Sequence, residues 1–514
     1  MKRPPAVLLH WLIPIILIAF WAAMMAWLIR TEAFPEHFSA RSPGYRSLAN
    51  TGTLLMDRWM VIRFNTAHIG YSHTVVDIDE TTPDRQILIE NETVMNLKIL
   101  DTVQNVRVTS RANLDAFYHL QTFHFALISR GYSVTLSGTR EKERTFRVTI
   151  HSAGNQQSLR IQIPDDAVLY SPLTDLMLQR LQPGQSVRVR LFNPATLSIS
   201  DVPVRALRHE TLQVLGTNTP TIVLEADVQG LAMTSWMDAE GRILKQDTPL
   251  GWSLLACTAE EAVARDETAS ADDLLSAMAV PCTPPIDHPR SQTNLTFTLL
   301  GPAKLDQIVE SPRQILLGRS AGKIRLQLFA DSAVPAQSSE TEPAQTFSTN
   351  DLAATPFIQS DHPDIRRQAA KIVGTLTSDR EKAIAIHDWV FKNVDKIPTV
   401  SLPSALDVLS QRQGDCNEHT YLFIALARAA GLPARVRVGL VYHAGAFYYH
   451  AWPAVFAGRW REMDPTFGQI SVDATHLALF DGELADQMKL LGTIGRLQIE
   501  VEPNAPPPGG SRRD

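Results

Sequence analysis

Between about residues 55 and 255, apolar and polar residues alternate in short runs. Segments 59–65, 72–79, 86–90, 133–136, 145–151, 186–192 and 221–226 carry the pattern. A period of two sends alternate side chains to opposite faces, as in antiparallel strands with one solvated face. Turn signals such as Pro183-Gly184 and Asp238-Ala239-Glu240-Gly241 fall between them. Residues 165–181 leave room for one short helix. Residues 258–280 are acidic and alanine-rich and predict a helix, and 281–290, with its four prolines, predicts an extended strap. Two further strands are expected at 294–300 and 323–329. We therefore expect an antiparallel β-rich domain over 55–331, with no residue cluster in it that suggests catalysis. The polar, aperiodic stretch from 332 predicts a linker to 360. The Pro/Gly-rich end predicts a disordered tail over 501–514.

From about 361 to 500 the period changes. Helices are predicted at 364–376 and, capped by Ser378 or Asp379, up to about 393, where Ala383, Ile386, Trp389 and Val390 recur at helical spacing. A third covers 404–412. A fourth covers 416–430, its apolar face made by Leu422, Ala425, Leu426 and Ala429; Gly431 and Pro433 end it. Three strands follow, at 434–442, 447–456 and 460–463. The fold class expected is α+β: a domain with a helix packed on an antiparallel sheet, preceded by the large β domain.

The N-terminus differs from both. Residues 6–29 are almost uninterruptedly apolar, broken only by His10 and Pro14. Twenty-odd such residues suffice to span a bilayer as one helix. Lys2 and Arg3 precede the run, which predicts a transmembrane anchor within 1–30, a tether over 31–54, and the bulk of the chain on the periplasmic or extracytoplasmic side of the inner membrane. Arg30 weakens that orientation, and a cleaved signal peptide is the rival reading.

Composition narrows the field. The chain has 514 residues and a formal net charge of −6. That length calls for two or three domains, and no basic stripe points to nucleic acid. No CxxC, HExxH or calcium-loop pattern occurs, so neither metal nor cofactor is expected. There are three cysteines, Cys257, Cys282 and Cys416. In an oxidising compartment Cys257 and Cys282 are the natural pair and Cys416 the free thiol, against the plain alternative of three buried thiols.

Cys416 falls in the first turn of its helix, where unpaired N–H groups and the positive dipole end favour an anion. A thiolate there is expected to have a lowered pKa, with Asp415 opposing unless it caps the helix. His450 sits in the middle strand and Asp464 closes the third, so the two can lie within hydrogen-bonding reach. That order supplies a nucleophile, a base and a carboxylate that orients the base. Taken singly, each residue also has an ordinary structural reading, as a packed cysteine, a core histidine or a turn starter.

The motifs Gly414-Asp415-Cys416, Ala430-Gly431-Leu432-Pro433-Ala434-Arg435, His450-Ala451-Trp452 and Trp460-Arg461-Glu462-Met463-Asp464-Pro465-Thr466 occur in this order. As a set they resemble the transglutaminase-like superfamily, over about residues 365–480. The resemblance implies a papain-like fold, with Cys416 as nucleophile, His450 as base and Asp464 as orienter. It implies attack on a peptide or carboxamide carbonyl, an acyl-thioester, and release to water or to an amine. The partners expected are a protein or peptide substrate, or a cell-wall amide. The alternative is a non-catalytic binding or assembly module that keeps the fold. Of the neighbouring residues, His443 is expected in a surface turn, His419 as support for the helix end and Trp389 in the core. Asp473 and His476 are expected as a pair behind the site or in a structural role.

Overall fold

The computed structural model describes residues 40–502 except 43–44, 46–54, 80–85, 101, 153, 170–177, 229–230, 249–250, 265–272, 302–307, 335–346, 488–489, 491–492 and 494; before residue 40 it describes only 21, 24 and 25. The predicted anchor and the tail beyond 502 therefore lie almost wholly outside the described residues. Among those described, no helix is long and apolar enough to cross a membrane.

The protein is α+β and rich in strands. Each predicted strand of the first region is present, most of them longer than expected. Met56–Phe64, Ala67–Asp79, Gln86–Ile99 and Thr102–Leu114 open a meander that ends with Asn155–Gln162. A second meander runs from Ser186–Asn193 to Trp252–Cys257. The two join where Trp252–Cys257 pairs antiparallel with Met56–Phe64, giving a sheet of 16 strands. The sheet curls over its own apolar face. Phe123 of the first meander meets Phe192 of the second edge-on, with ring centres 5.2 Å apart, although their strands are distant in the sheet. The one helix considered within 165–181 is in part a strand, Ala167–Leu169; residues 170–177 are not described.

Strands Val280–Thr283, Asn294–Leu300, Gln314–Ser320 and Lys323–Phe329 do not belong to this sheet. They join Ala434–His443, Ala446–Phe456, Trp460–Glu462, His476–Asp481 and Gln498–Glu502 in a second sheet of nine strands. Strand pairing thus divides the chain after residue 257, not at 331. Alternation of apolar and polar residues identifies a strand but not the sheet it joins. Val501 and Glu502, placed in the expected tail, pair with Phe297 and Thr296. Part of the expected linker is also packed, with Phe357 and Ile358 buried.

All three cysteines are free thiols. Of the two readings left open for Cys257 and Cys282, the structure has the unpaired one, with the two residues in different sheets.

The helix Cys416–Ala429 packs on the second sheet, and Pro363–Val373, Asp379–Asn393 and Ala405–Gln411 pack around that helix. Ser378 caps the second by accepting from the Glu381 N–H. The large sheet grips the segment leading into the fourth helix. Tyr132 Oη donates to the Gln413 carbonyl at 2.6 Å, Ser129 Oγ to Val400 at 2.6 Å, and Gln157 Nε2 to Pro356 at 2.6 Å.

Candidate active site

The helix Cys416–Ala429 starts at Asp415, whose Oδ1 accepts from the Asn417 N–H at 2.9 Å, while Glu418 reaches back to the Asp415 N–H at 2.9 Å. This is a reciprocal cap that satisfies the free donors of the first turn. Gly414 makes room for it: a Cβ there would lie 2.2 Å from the Glu418 Cβ. The helix packs against the middle strand, where Thr420 Oγ1 donates to the Ala451 carbonyl at 3.1 Å. Cys416 is half-buried at its start, with the Ala451 N–H directed at the sulfur.

His450 Nε2 lies 2.8 Å from Asp464 Oδ2, both side chains almost fully enclosed. That leaves Nδ1 as the free ring atom of the base. Asp464 Oδ1 accepts from the Thr466 and Phe467 N–H groups at 2.7 and 3.1 Å. Its Oδ2 also receives a second imidazole, His476 Nε2, at 3.1 Å. His476 Nδ1 lies 3.3 Å from Asp473 Oδ1. Asp473 in turn accepts from Thr475, from Gln469 at 2.9 Å and from Arg290 at 3.0 Å. A hydrogen-bonded chain thus leads from the base through Asp464, His476 and Asp473 to the part-exposed Arg290.

A second buried group sits beside it. Glu462 Oε2 accepts from Trp452 Nε1 and Arg313 Nη1, both at 2.8 Å. Arg313 also donates to the carbonyls of His476, Asp473 and Phe329 at 2.9, 2.9 and 3.1 Å. His387 is buried as well, with Nε2 3.2 Å from the Asp464 carbonyl.

Burial alone would raise the Asp464 pKa. The charge of His450 and the hydrogen bonds from His450 and His476 outweigh it and hold the group well below the usual carboxylate range. Asp473 is lowered in the same way, burial being outweighed chiefly by His476. For His476 burial acts downward, but the bonds to Asp464 and Asp473 prevail and its pKa is raised. The two carboxylates that flank His476 therefore favour its imidazolium form.

Cys416 departs from expectation. Burial, followed by the charge of Asp415, pushes its thiol well above the ordinary value, and Glu418 and Asp464 add to this; only the Ala451 N–H acts the other way. Burial and the neighbouring acids thus oppose the anion that the end of the helix dipole favours. Asp415 itself is held well above the carboxylate range by burial and then by the charge and hydrogen bond of Glu418.

The other residues weighed from sequence are placed as follows. His419 is buried, with Nδ1 2.7 Å from the Asp415 carbonyl and Nε2 3.3 Å from that of Val394, and it serves the helix start. Trp389 packs partly buried under Arg412. His443 is exposed, yet it stacks on Phe467, which lies 5.0 Å from the His450 ring. Sequence reasoning missed Arg290, Arg313 and His387. No local signal marks the two arginines, which come from outside the helical region. His450, Asp464 and His476 have ligand atoms within 4.8 Å of one another, close enough to share a metal ion, but each short approach is already a hydrogen bond to Asp464.

The shifts set a pH window. Asp464, Asp473 and Glu462 are lowered in the folded chain, so each contributes stability above its ordinary value of about 4 that is lost as pH falls. His476 is raised, so its contribution is complete below about pH 6.5 and is lost as pH climbs through the folded value. The urea midpoint followed by Trp fluorescence is expected to fall between about pH 5 and pH 3. A midpoint that holds steady over that range would contradict the linkage.

Residues 366–465 match the model of the transglutaminase-like superfamily. An uncharacterized protein of Haemophilus influenzae is 36% identical over 110 residues, which is 19% of this chain and 30% of that protein. The chain therefore matches under a third of that relative's length. Among solved structures, a candidate cysteine protease from Cytophaga hutchinsonii is 18% identical, with a TM-score of 0.26 over 41% of this chain and 81% of that one. A TGase is 17% identical, with a TM-score of 0.18 over 30% of this chain and 43% of its own. Cys416, His450 and Asp464 all lie inside the matched stretch, and residues 366–465 are a transglutaminase-like domain.

Proposed function

We propose that the protein is a thiol enzyme that attacks a peptide or carboxamide carbonyl through Cys416, His450 and Asp464. The observation that carries this reading is the His450–Asp464 pair at 2.8 Å, with His450 on the strand against which the helix bearing Cys416 is packed. His450 takes the proton of the neutral thiol as the sulfur attacks. The imidazolium that forms is stabilised by Asp464 and then protonates the leaving amine. An acyl-thioester remains, and water or an amine releases it. The reading extends to an exported chain held at the inner membrane by residues 6–29, acting on protein or cell-wall amides.

Incubation with p-nitrophenyl acetate, followed by mass spectrometry, tests the chemistry. One acetyl group is expected on Cys416, and none in His450→Ala. Acetylation spread equally over Cys257 and Cys282 would count against it.

The raised thiol also suits a second reading, a binding module whose cysteine is inert. Iodoacetamide kinetics separate the two. In both readings alkylation of Cys416 is slow near neutrality and accelerates only above the ordinary thiol value of about 8.5. In the enzyme, His450→Ala slows it further at neutral pH; in the inert module that substitution changes nothing.

A further inference from the structure

One wholly buried titratable group beside the triad takes no part in the proposed chemistry. His476 is 0% exposed. It opens the strand His476–Asp481, which pairs with Ala434–His443 in the second sheet. Its ring stands edge-on to Trp452 at 5.3 Å and to His450 at 6.1 Å between centres. Nε2 lies 3.1 Å from Asp464 Oδ2 and Nδ1 lies 3.3 Å from Asp473 Oδ1. A neutral imidazole has a single N–H, so one nitrogen would turn a lone pair on a carboxylate. The imidazolium donates to both.

The oxygen that His476 engages is the one that also holds His450, at 2.8 Å. The other oxygen of Asp464 is taken by the Thr466 and Phe467 N–H groups. Two imidazoles therefore divide one carboxylate oxygen. A charged His476 does two things there. It fixes the Asp464 carboxylate from the far side, which keeps Oδ2 aimed at His450. It also offsets part of the negative charge that Asp464 would otherwise exert on the base, and so weakens the hold of the base on a proton. The other charged groups around His476 are already paired. Asp473 has Arg290 at 3.0 Å. Glu462 has Arg313 at 2.8 Å and Arg437 at 3.5 Å. Arg313 donates to the His476 carbonyl, not to its ring.

We infer that His476 is a positioning residue for the triad: it aims Asp464 at His450 and moderates the charge that Asp464 places on the base. The inference rests on the thiol-enzyme reading of Cys416, His450 and Asp464. His476 acts through Asp464 and is not itself a reacting group.

The test is the pH profile of Cys416 acetylation by p-nitrophenyl acetate, in the parent and in His476→Gln. Glutamine keeps an N–H donor for Asp464 but carries no charge. With the two rings 6.1 Å apart, loss of that charge is expected to move the acid limb of the rate to higher pH by about one unit. A limb that stays in place or moves to lower pH overturns the proposal, even where the rate falls at every pH, as loss of packing alone would make it fall. The parent separates the two claims. If its Cys416 takes no acetyl group, the thiol reading fails and this inference with it; a labelled parent whose limb does not move in the variant refutes the role of His476 alone. If His476→Gln does not fold, nitrogen NMR of the unaltered chain with isotope-labelled histidine decides. One imidazole with both nitrogens protonated and shielded from exchange at about pH 7.5, well above the ordinary histidine value, supports the assignment. Neutral rings throughout refute it.

Discussion

Cys416→Ala is expected to abolish turnover of any acyl substrate the protein accepts, with a loss on the order of 10⁶ in kcat. Removing a nucleophile from a cooperating triad costs nearly as much as removing the whole triad, since base and orienter have nothing left to act on. The fold should survive. Cys416 is half-buried at the first turn of a helix capped by Asp415 and Glu418, and the cap does not use the thiol. Alanine is also the best helix former. Far-UV circular dichroism should therefore match the parent while the acetyl adduct disappears. Asp464→Asn separates the roles further. It keeps the shape but removes the charge that stabilises the imidazolium, so the thiol remains alkylatable at high pH while turnover falls. If Cys416→Ala kept its turnover, the nucleophile assignment would be wrong, whatever the geometry around it.

The largest expected effect on stability is Arg313→Ala. The guanidinium is 2% exposed, as is Glu462, its partner at 2.8 Å. The carboxylate pKa is lowered despite burial because Arg313 and Arg437 stand beside it. Truncation leaves a buried charge with part of its compensation gone and three backbone carbonyls short of a donor. Such losses typically cost about 3–5 kcal/mol. Urea unfolding of Arg313→Ala against the parent checks this. Arg325→Ala is the control: Arg325 pairs with Glu502 on the surface, and exposed pairs contribute little. Similar midpoints for the two variants would show that the Arg313–Glu462 pair bears no more load than a surface pair. Because Arg313 also holds the carbonyls of Asp473 and His476, loss of stability and loss of base orientation should travel together.

How much of this was legible in the sequence depends on how local the cause is. The helix at Cys416 was legible because its cap, apolar face and stop are all written within about sixteen residues. The strands bearing His450 and Asp464 were legible for the same reason, and their adjacency follows from short turns. The partners of Asp464 were only half legible. Asp473 and His476 lie close in sequence, so their pairing could be weighed in advance. Arg290 and Arg313 could not be, since an ion pair spanning 149 residues, as between Arg313 and Glu462, leaves no periodicity behind. The same blindness explains why strands Asn294–Leu300 and Lys323–Phe329 were grouped with the wrong sheet. The thiol's raised pKa was misjudged because the helix terminus is visible in sequence, whereas enclosure and the combined charge of Asp415, Glu418 and Asp464 are not.

The second sheet also orders events in time. Strand Gln498–Glu502 lies between Val280–Thr283 and Asn294–Leu300, pairing with both. Leu299 waits for Ile499, 200 positions further along. As a chain leaves the ribosome at about 5–20 residues per second, the first sheet can close early, because its most distant partners both lie before residue 258. The second cannot. For roughly 4–17 s after Cys416 is made, the nascent chain holds the nucleophile without a complete second sheet. The topology therefore works as a delay, and the site can come into register only after nearly all the described chain has emerged.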